Sequence, residues 1–182
     1  IFVFFNIWPK CEKNFLNISG EKYSGKTHLV NIFLKKFKGI KLESDILSDN
    51  HLKEIKIHQN VVLENLDENI NERLTYSLLN IIDQDNKFLI VTSVKPIVEI
   101  KFNLLDLKSR TNNFILQYIK KPDDELLFAL ILKNLSDRQI SLEKKLINYI
   151  IRRIDRSYGK IFEFIYKIDE MSLKKKKSIN LK

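Results

Sequence analysis

Gly20-Glu21-Lys22-Tyr23-Ser24-Gly25-Lys26-Thr27 fits the pattern GxxxxGK[ST] at every fixed position. Its surroundings decide the fold. A short apolar stretch, Phe15, Leu16 and Ile18, runs straight into Gly20, and after Thr27 the residues Leu29, Val30, Ile32, Phe33, Leu34 and Phe37 recur at helical spacing. Strand, glycine-bearing turn and helix are the setting that a phosphate-binding loop requires. Gly20 and Gly25 admit backbone angles and close approaches that a side chain would forbid, so successive N–H groups can converge on a β-phosphate at a helix N-terminus. Lys26 is the cation placed to reach the β- and γ-phosphates, and the Thr27 hydroxyl is a magnesium ligand by type. Ser24 and His28 complete the candidate nucleotide-binding set, His28 as a group expected to pack or hydrogen-bond beneath the loop.

Outward from the loop the apolar pattern alternates in kind. Val61, Val62 and Leu63 form a β-rich run; Leu74, Leu78, Leu79, Ile81 and Ile82 return to helical spacing; Phe88 to Val91 are continuously apolar; Phe114, Ile115, Leu116 and Tyr118 read as a further strand. Strands alternating with helices of ten or more residues imply an α/β fold, a parallel sheet with helices on both faces. Beyond Pro122 the strand signal stops, and three amphipathic helices are expected over 123–135, 141–154 and 157–171. Pro122 in a first helical turn, Asp123 and Asp124 beside it, and Ser141 and Ser157 as N-caps mark the starts. The division this predicts is a nucleotide-binding α/β core over 1–121 and a helical domain over 122–182.

A phosphate-binding loop needs an acidic residue at the end of a neighbouring strand to hold the magnesium shell. Val61-Val62-Leu63-Glu64-Asn65 is the run of that shape, so Glu64 is the candidate partner of Thr27 at the metal. The next position, where an acid that activates water often lies, is Asn65. Asp67 and Glu68 follow closely, but acids in a turn are usually solvated.

Composition narrows the classes further. Of 182 residues, 44% are hydrophobic and 30% charged, with 4 Gly and 3 Pro, which excludes a disordered or collagen-like chain. The single cysteine, Cys11, forms no internal disulfide, and a cytoplasmic setting is expected. Apolar runs such as Ile1 to Phe5 and Leu126 to Leu132 fall far below the ~18 residues of a membrane span, and the first of them lacks the basic flank of a signal peptide. His28, His51 and His58 share no metal-like spacing, and Ser, Cys and His show no nucleophilic arrangement. Trp8, just ahead of the first strand, is expected to pack in the core or at a nucleotide edge. The net charge of +9 suits an anionic partner such as DNA, although a lysine-rich composition accounts for part of it. The run Lys174 to Lys177 reads as a solvated helix face or tail.

The order of these pieces resembles the AAA+ ATPases and, within them, the DnaA/Hda group. Gly25-Lys26-Thr27-His28-Leu29 is similar to the GKTHL of that group's phosphate loop; Phe88 to Ser93 followed by Lys95-Pro96 resembles the sensor 1 strand and its exit; Asp106-Leu107-Lys108-Ser109-Arg110 resembles the DLxSR box; and Asp155-Arg156, Ile161 and Asp169 follow the spacing of the sensor 2 helix. The resemblance spans nearly the whole chain. It implies a P-loop AAA+ core with a parallel five-stranded sheet between helices and a small C-terminal helical lid, bound ADP or ATP, and magnesium held by Thr27 and Glu64. Glu64 takes the Walker B position, and Thr92, Ser93 and Lys160 are the sensor candidates. Arg110 is implied to act in trans, completing the nucleotide site of a neighbouring subunit.

Three departures bear on hydrolysis. Glu64-Asn65 stands where the group carries its acidic pair, Val94 stands where sensor 1 has an acid, and Gly159 stands at the sensor 2 arginine. Each removes a polar contact on the γ-phosphate side and leaves the β-phosphate cradle intact. The resemblance thus points to weak or absent intrinsic ATPase activity. Chain length, with no room for a helix-turn-helix after the lid, and only 37 residues between Thr27 and Glu64 favour the Hda branch. That branch implies a regulator of replication initiation that docks on a DnaA-type initiator and promotes hydrolysis of its ATP, with a sliding clamp bound through an N-terminal segment that is not seen before Ile7-Trp8-Pro9. DNA contact and self-association are open to it, and a membrane is not. The alternatives are a DNA-associated ATPase of helicase-loader or truncated-initiator type and a non-hydrolysing nucleotide-bound adaptor.

Overall fold

Five strands form one sheet in which every pairing is parallel: β1 (Phe15–Ser19), β2 (Ile40–Glu43), β3 (Asn60–Leu66), β4 (Phe88–Ser93) and β5 (Ile115–Tyr118), in the order β2-β3-β4-β1-β5. The computed structural model describes residues 13–175. Ile1 to Phe5, Trp8, Cys11 and the lysines beyond Lys175 lie outside the described residues. The described chain divides into two compact units, one of residues 13–20 and 24–119 and the other of 21–23 and 120–175.

In the first unit the strands send alternate side chains to opposite faces. Leu16 and Ile18 of β1, Val62 of β3 and Ile90 of β4 pack with Val30 and Phe33 of helix α1 (Lys26–Lys36). Phe15, Leu42, Val61, Leu63, Leu89 and Val91 pack on the other face with Ile55 of α2 (Asp49–Ile55), Leu78, Leu79 and Ile82 of α3 (Glu72–Gln84) and Leu107 of α4 (Leu105–Arg110). Burying each such side chain contributes about 1.5–3 kcal/mol. The central strands β1, β3 and β4 are buried on both faces, which is why they read as continuous apolar runs.

The run Ile40-Lys41-Leu42-Glu43 forms a strand that the apolar pattern alone did not mark. It lies at the sheet edge, and only Leu42 is buried. Gly39 leads into it because a Cβ there would collide with the carbonyl oxygen of Asn60. Helix α2 is likewise short, and its start is fixed by a capping box in which the Ser48 backbone N–H donates to His51 Nδ1 at 3.2 Å. That capping accounts for one of the three histidines.

The second unit holds helices α5 (Asp124–Asp137), α6 (Lys144–Ile151) and α7 (Tyr158–Lys175). Leu127, Ile131 and Leu135 of α5, Ile147 and Ile151 of α6, and Ile161, Ile165 and Ile168 of α7 make one core. Two starts differ from the sequence reading. Asp123, whose Oδ1 accepts from the Leu126 N–H at 2.8 Å, caps α5, so Pro122 lies ahead of the helix rather than in its first turn. Helix α6 begins three residues after Ser141, with Glu143 in extended backbone at its N-cap position. Glu21, Lys22 and Tyr23 group with this unit: Glu21 Oε2 accepts from the Tyr158 N–H at 3.2 Å, and the Tyr23 ring stacks on Phe162 with centroids 4.8 Å apart.

Candidate functional site

The phosphate loop leaves the C-terminal end of β1, between β4 and β5, on the side of the parallel sheet where the strands end and ligands of α/β proteins collect. Gly25 sits at φ 90° and ψ 13°, a left-handed conformation that glycine adopts without strain, and it turns the chain into α1. Gly20 is needed for a different reason: a Cβ there would lie 2.9 Å from Ser24 Oγ and 3.0 Å from Ile119 Cβ. The Ser24 hydroxyl is buried and finds no hydrogen-bond partner. A buried orphan donor inside the loop fits a ligand that accepts hydrogen bonds, as a phosphate does.

Lys26, the first residue of α1, is only 8% exposed, and its ammonium donates to the Gly20 carbonyl at 2.7 Å. Burial pushes its pKa below the ordinary lysine value, against the nearby Glu64 carboxylate, which pulls it back up. A phosphate would add negative charge where this desolvated ammonium gains most from it. Thr27 is exposed, and its hydroxyl donates to Glu64 Oε1 at 2.7 Å. The strand-end acid and the loop threonine, 37 residues apart, are therefore in contact. Two hard oxygen donors at that separation suit magnesium.

Glu64 has a further partner. Lys41 Nζ on the edge strand lies 3.0 Å from Glu64 Oε2, with the glutamate side chain 1% and the lysine side chain 37% exposed. Both oxygens of the buried acid are thus engaged. After Glu64 the register with β4 shifts between Leu63 and Leu66, and Asn65 adopts φ 60°. Asparagine tolerates this left-handed backbone better than most residues, and the bulge turns its side chain out of the sheet. There its Nδ2 donates to Glu43 Oε2 at 2.8 Å, its carbonyl accepts from Ser44 Oγ at 2.8 Å, and its N–H donates to Thr92 Oγ1 at 3.0 Å.

Thr92 and Ser93 end β4 beside these groups, and both are buried. Ser93 Oγ donates to the Lys95 carbonyl at 2.6 Å and accepts from Asn17 Nδ2 at 2.9 Å; Asn17 also donates to the Val91 carbonyl at 3.2 Å and accepts from the Ile97 N–H at 2.9 Å. Asn17, wholly buried in the middle of β1, ties the strand of the phosphate loop to the turn that leaves β4. Its signal was a lone amide within an apolar strand. Val94 follows, 49% exposed, with no polar group to offer. Lys41 and Glu43 went unread as site residues because their strand did.

Three candidates make none of these bonds. His28 is exposed on the first turn of α1, so it neither packs under the loop nor lies buried there. Lys160, on α7, is exposed and bonds Glu163 Oε2 at 2.9 Å, which raises the lysine pKa; a Cβ on Gly159 beside it would meet Ser157 Oγ at 3.6 Å, an ordinary contact. Arg110 ends α4, ahead of the start of β5, toward the N-terminal ends of the strands and so opposite the strand ends from which the phosphate loop leaves. It is half-buried: Nη1 lies 3.3 Å from Asp83 Oδ2, and the guanidinium lies 5.4 Å from the Tyr76 ring centre. Glu72 at the start of α3 orders the approach to α4 by accepting from the backbone N–H groups of Asn103 at 2.9 Å and Leu104 at 2.6 Å, and the Asn103 bond leads the effects that hold its pKa down.

No family model and no curated protein matches the sequence. Solved structures do match in fold. Domain III of the Thermotoga maritima replication initiation protein DnaA superposes with a TM-score of 0.79 at 15% identity, over 98% of this chain and 84% of that one. AMPPCP-bound DnaA from Aquifex aeolicus gives 0.72 at 18% identity, over 96% of this chain and 62% of that one. The Thermotoga maritima RuvB Holliday junction branch migration motor gives 0.65 at 15%, over 92% of this chain and 58% of that one. The chain therefore spans most of the isolated DnaA domain and about three-fifths of the longer proteins. Among the described residues no helix is long and apolar enough to cross a membrane. The chain has a P-loop AAA+ fold, similar to that of these solved structures.

Proposed function

We propose that this chain is a nucleotide-binding AAA+ regulator of DNA replication initiation that holds ADP or ATP in loop 20–27, docks on a DnaA-type initiator and promotes hydrolysis of the ATP bound there. One observation carries the reading: the phosphate cradle is complete, while the groups that would act on a γ-phosphate are absent or engaged elsewhere. Lys26, the orphan Ser24 hydroxyl and the Thr27–Glu64 pair supply the cradle. Asn65 is an amide bonded to Glu43, Val94 is apolar and Gly159 has no side chain. Nucleotide then serves to order the fold, and the chemistry falls to Arg110 near the N-terminal end of β5. The test is turnover of initiator-bound ATP with and without this protein. The ion pair of Arg110 with Asp83 and its contact with the Tyr76 ring favour a second reading, an adaptor whose nucleotide is structural and whose arginine only stabilises α4 against α3.

Intrinsic hydrolysis is expected to be far below the ~1 s⁻¹ or more of typical enzymes. An amide at Asn65 takes no proton from an attacking water. A single-turnover assay with magnesium and labelled ATP checks this, and a rate near that of active enzymes would put Glu43, Asp67 or Glu68 in the role of base.

Magnesium dependence follows from Lys41. Thr27 and Glu64 would hold the ion, which when bound neutralises phosphate charge. Because an ammonium already faces Glu64 Oε2 at 3.0 Å, ADP affinity of the wild type should change by less than about 3-fold between magnesium and a chelator, an effect below 1 kcal/mol. Lys41→Met should make magnesium matter by about 10-fold, since the carboxylate then lacks a cation. Equal magnesium dependence in the two proteins would show that Lys41 swings clear in solution.

A further inference from the structure

Helix α6 packs its Ile147 and Ile151 into the core of the helical unit, and its opposite side is left to solvent. At about 100° per residue, Lys145, Tyr149 and Arg152 fall within roughly 60° of one another on that outward side. All three are exposed. Arg153 lies over the Tyr149 ring, its guanidinium carbon 3.7 Å from the ring centre, while Tyr149 itself stays 49% exposed. Lys144 and Lys145 open the helix and Arg152 closes it.

Charge here is locally one-sided. Residues 144–160 carry six basic side chains against one acid, Asp155. Arg156 is paired with Asp124 at 2.9 Å and Lys160 with Glu163 at 2.9 Å, whereas Lys145 and Arg152 have no acidic partner among the described residues. Compositional drift toward lysine does not explain the patch, because only six of the 32 basic residues are arginine and three of those six stand at 152, 153 and 156. A helix C-terminus is stabilised by any nearby cation. It gives no reason for an exposed tyrosine lying under one.

We propose that this outward face of α6 binds single-stranded nucleic acid, with Lys145 and Arg152 meeting backbone phosphates and an unstacked base lying on the Tyr149–Arg153 pair. Cations tracking phosphates beside an aromatic platform are the combination that single strands require, and a duplex keeps its bases out of reach of such a platform.

Fluorescence anisotropy of the full chain with labelled 20-nucleotide strands, run as DNA and as RNA of matching sequence, tests it over a range of salt. Wild type is expected to bind the single strand more tightly than the duplex of the same sequence. Arg152→Ala/Arg153→Ala should weaken binding about 10-fold or more and flatten the salt dependence by one to two phosphate contacts. Tyr149→Ala should weaken single-strand binding about 5-fold or more, and Tyr149→Phe should restore it, because the ring and not the hydroxyl carries the stack. Circular dichroism should be unchanged for these surface variants. The DNA and RNA arms show whether the 2′-hydroxyl matters, and binding to either supports the face. Undetectable wild-type binding, full affinity in the arginine variant, a silent Tyr149→Ala, or displacement by polyglutamate as readily as by oligonucleotide would each overturn the proposal.

Discussion

Lys26→Ala is expected to abolish binding of ADP and ATP in titration calorimetry, a loss of about 10²-fold or more, while circular dichroism and the melting curve stay near wild type. The size follows from the position of the ammonium. It is desolvated by burial, held by the Gly20 carbonyl at 2.7 Å, and close enough to the Glu64 carboxylate to feel its charge. Removing one member of a buried charged contact costs about 2–5 kcal/mol of binding, and every 1.4 kcal/mol is tenfold. Stability should hold because Glu64 keeps both Thr27 and Lys41 when the ammonium is gone. Lys26→Met, which fills the same volume without charge, separates packing from electrostatics and should fail equally. Unchanged affinity in either variant would remove the phosphate-loop reading, and with it the proposed function.

The stretch from Phe15 to Phe37 was legible because every level of the pattern agreed: buried strand, glycines where the backbone turns sharply or meets neighbours, and a periodic helix. The central strands and α3 were legible for the same reason, since burial on both faces leaves a continuous apolar run and burial on one face a helical period. Edge strand β2 was not. Only Leu42 of its four residues is buried, so composition there carries little signal, yet this strand delivers Lys41 to Glu64 and Glu43 to Asn65. Their role depends on the register of β2 against β3, which sets Glu43 opposite Glu64 and which no local pattern encodes. Asn17 was hidden differently: an amide in a buried strand is costly unless satisfied, and its partners, Val91, Ser93 and Ile97, lie 74 to 80 residues away. Thr92 and Ser93 were legible as a strand end, but the structure occupies both hydroxyls in holding the bulge at Asn65 and the turn at Lys95.

Arg110→Ala should leave this protein's own nucleotide affinity within about 2-fold and reduce stimulated hydrolysis on a DnaA-type initiator by about 10³-fold or more, the scale of a guanidinium supplied in trans to a transferring phosphoryl group. The first half follows from topology. Arg110 precedes β5 while the phosphate loop follows β1, and the two strands run parallel, so the arginine lies toward the strand ends away from its own loop. The second half requires the guanidinium to leave Asp83 and the Tyr76 face. Its contact with Asp83 joins side chains 29% and 56% exposed, and a pair that open to water is worth no more than about 1 kcal/mol. Release therefore costs little against what a desolvated phosphoryl site returns. Asp83→Ala, which frees the arginine, should keep or raise the stimulation, whereas Arg110→Lys should rescue poorly, because an ammonium lacks the planar fork. The assay is ATP turnover by the initiator with this protein, DNA and a sliding clamp present, and melting curves run beside it should shift little for any of the three variants. Intact turnover with Arg110→Ala, accompanied by a clear loss of melting temperature, would assign the arginine to clamping α4 on α3 and leave the adaptor reading in place.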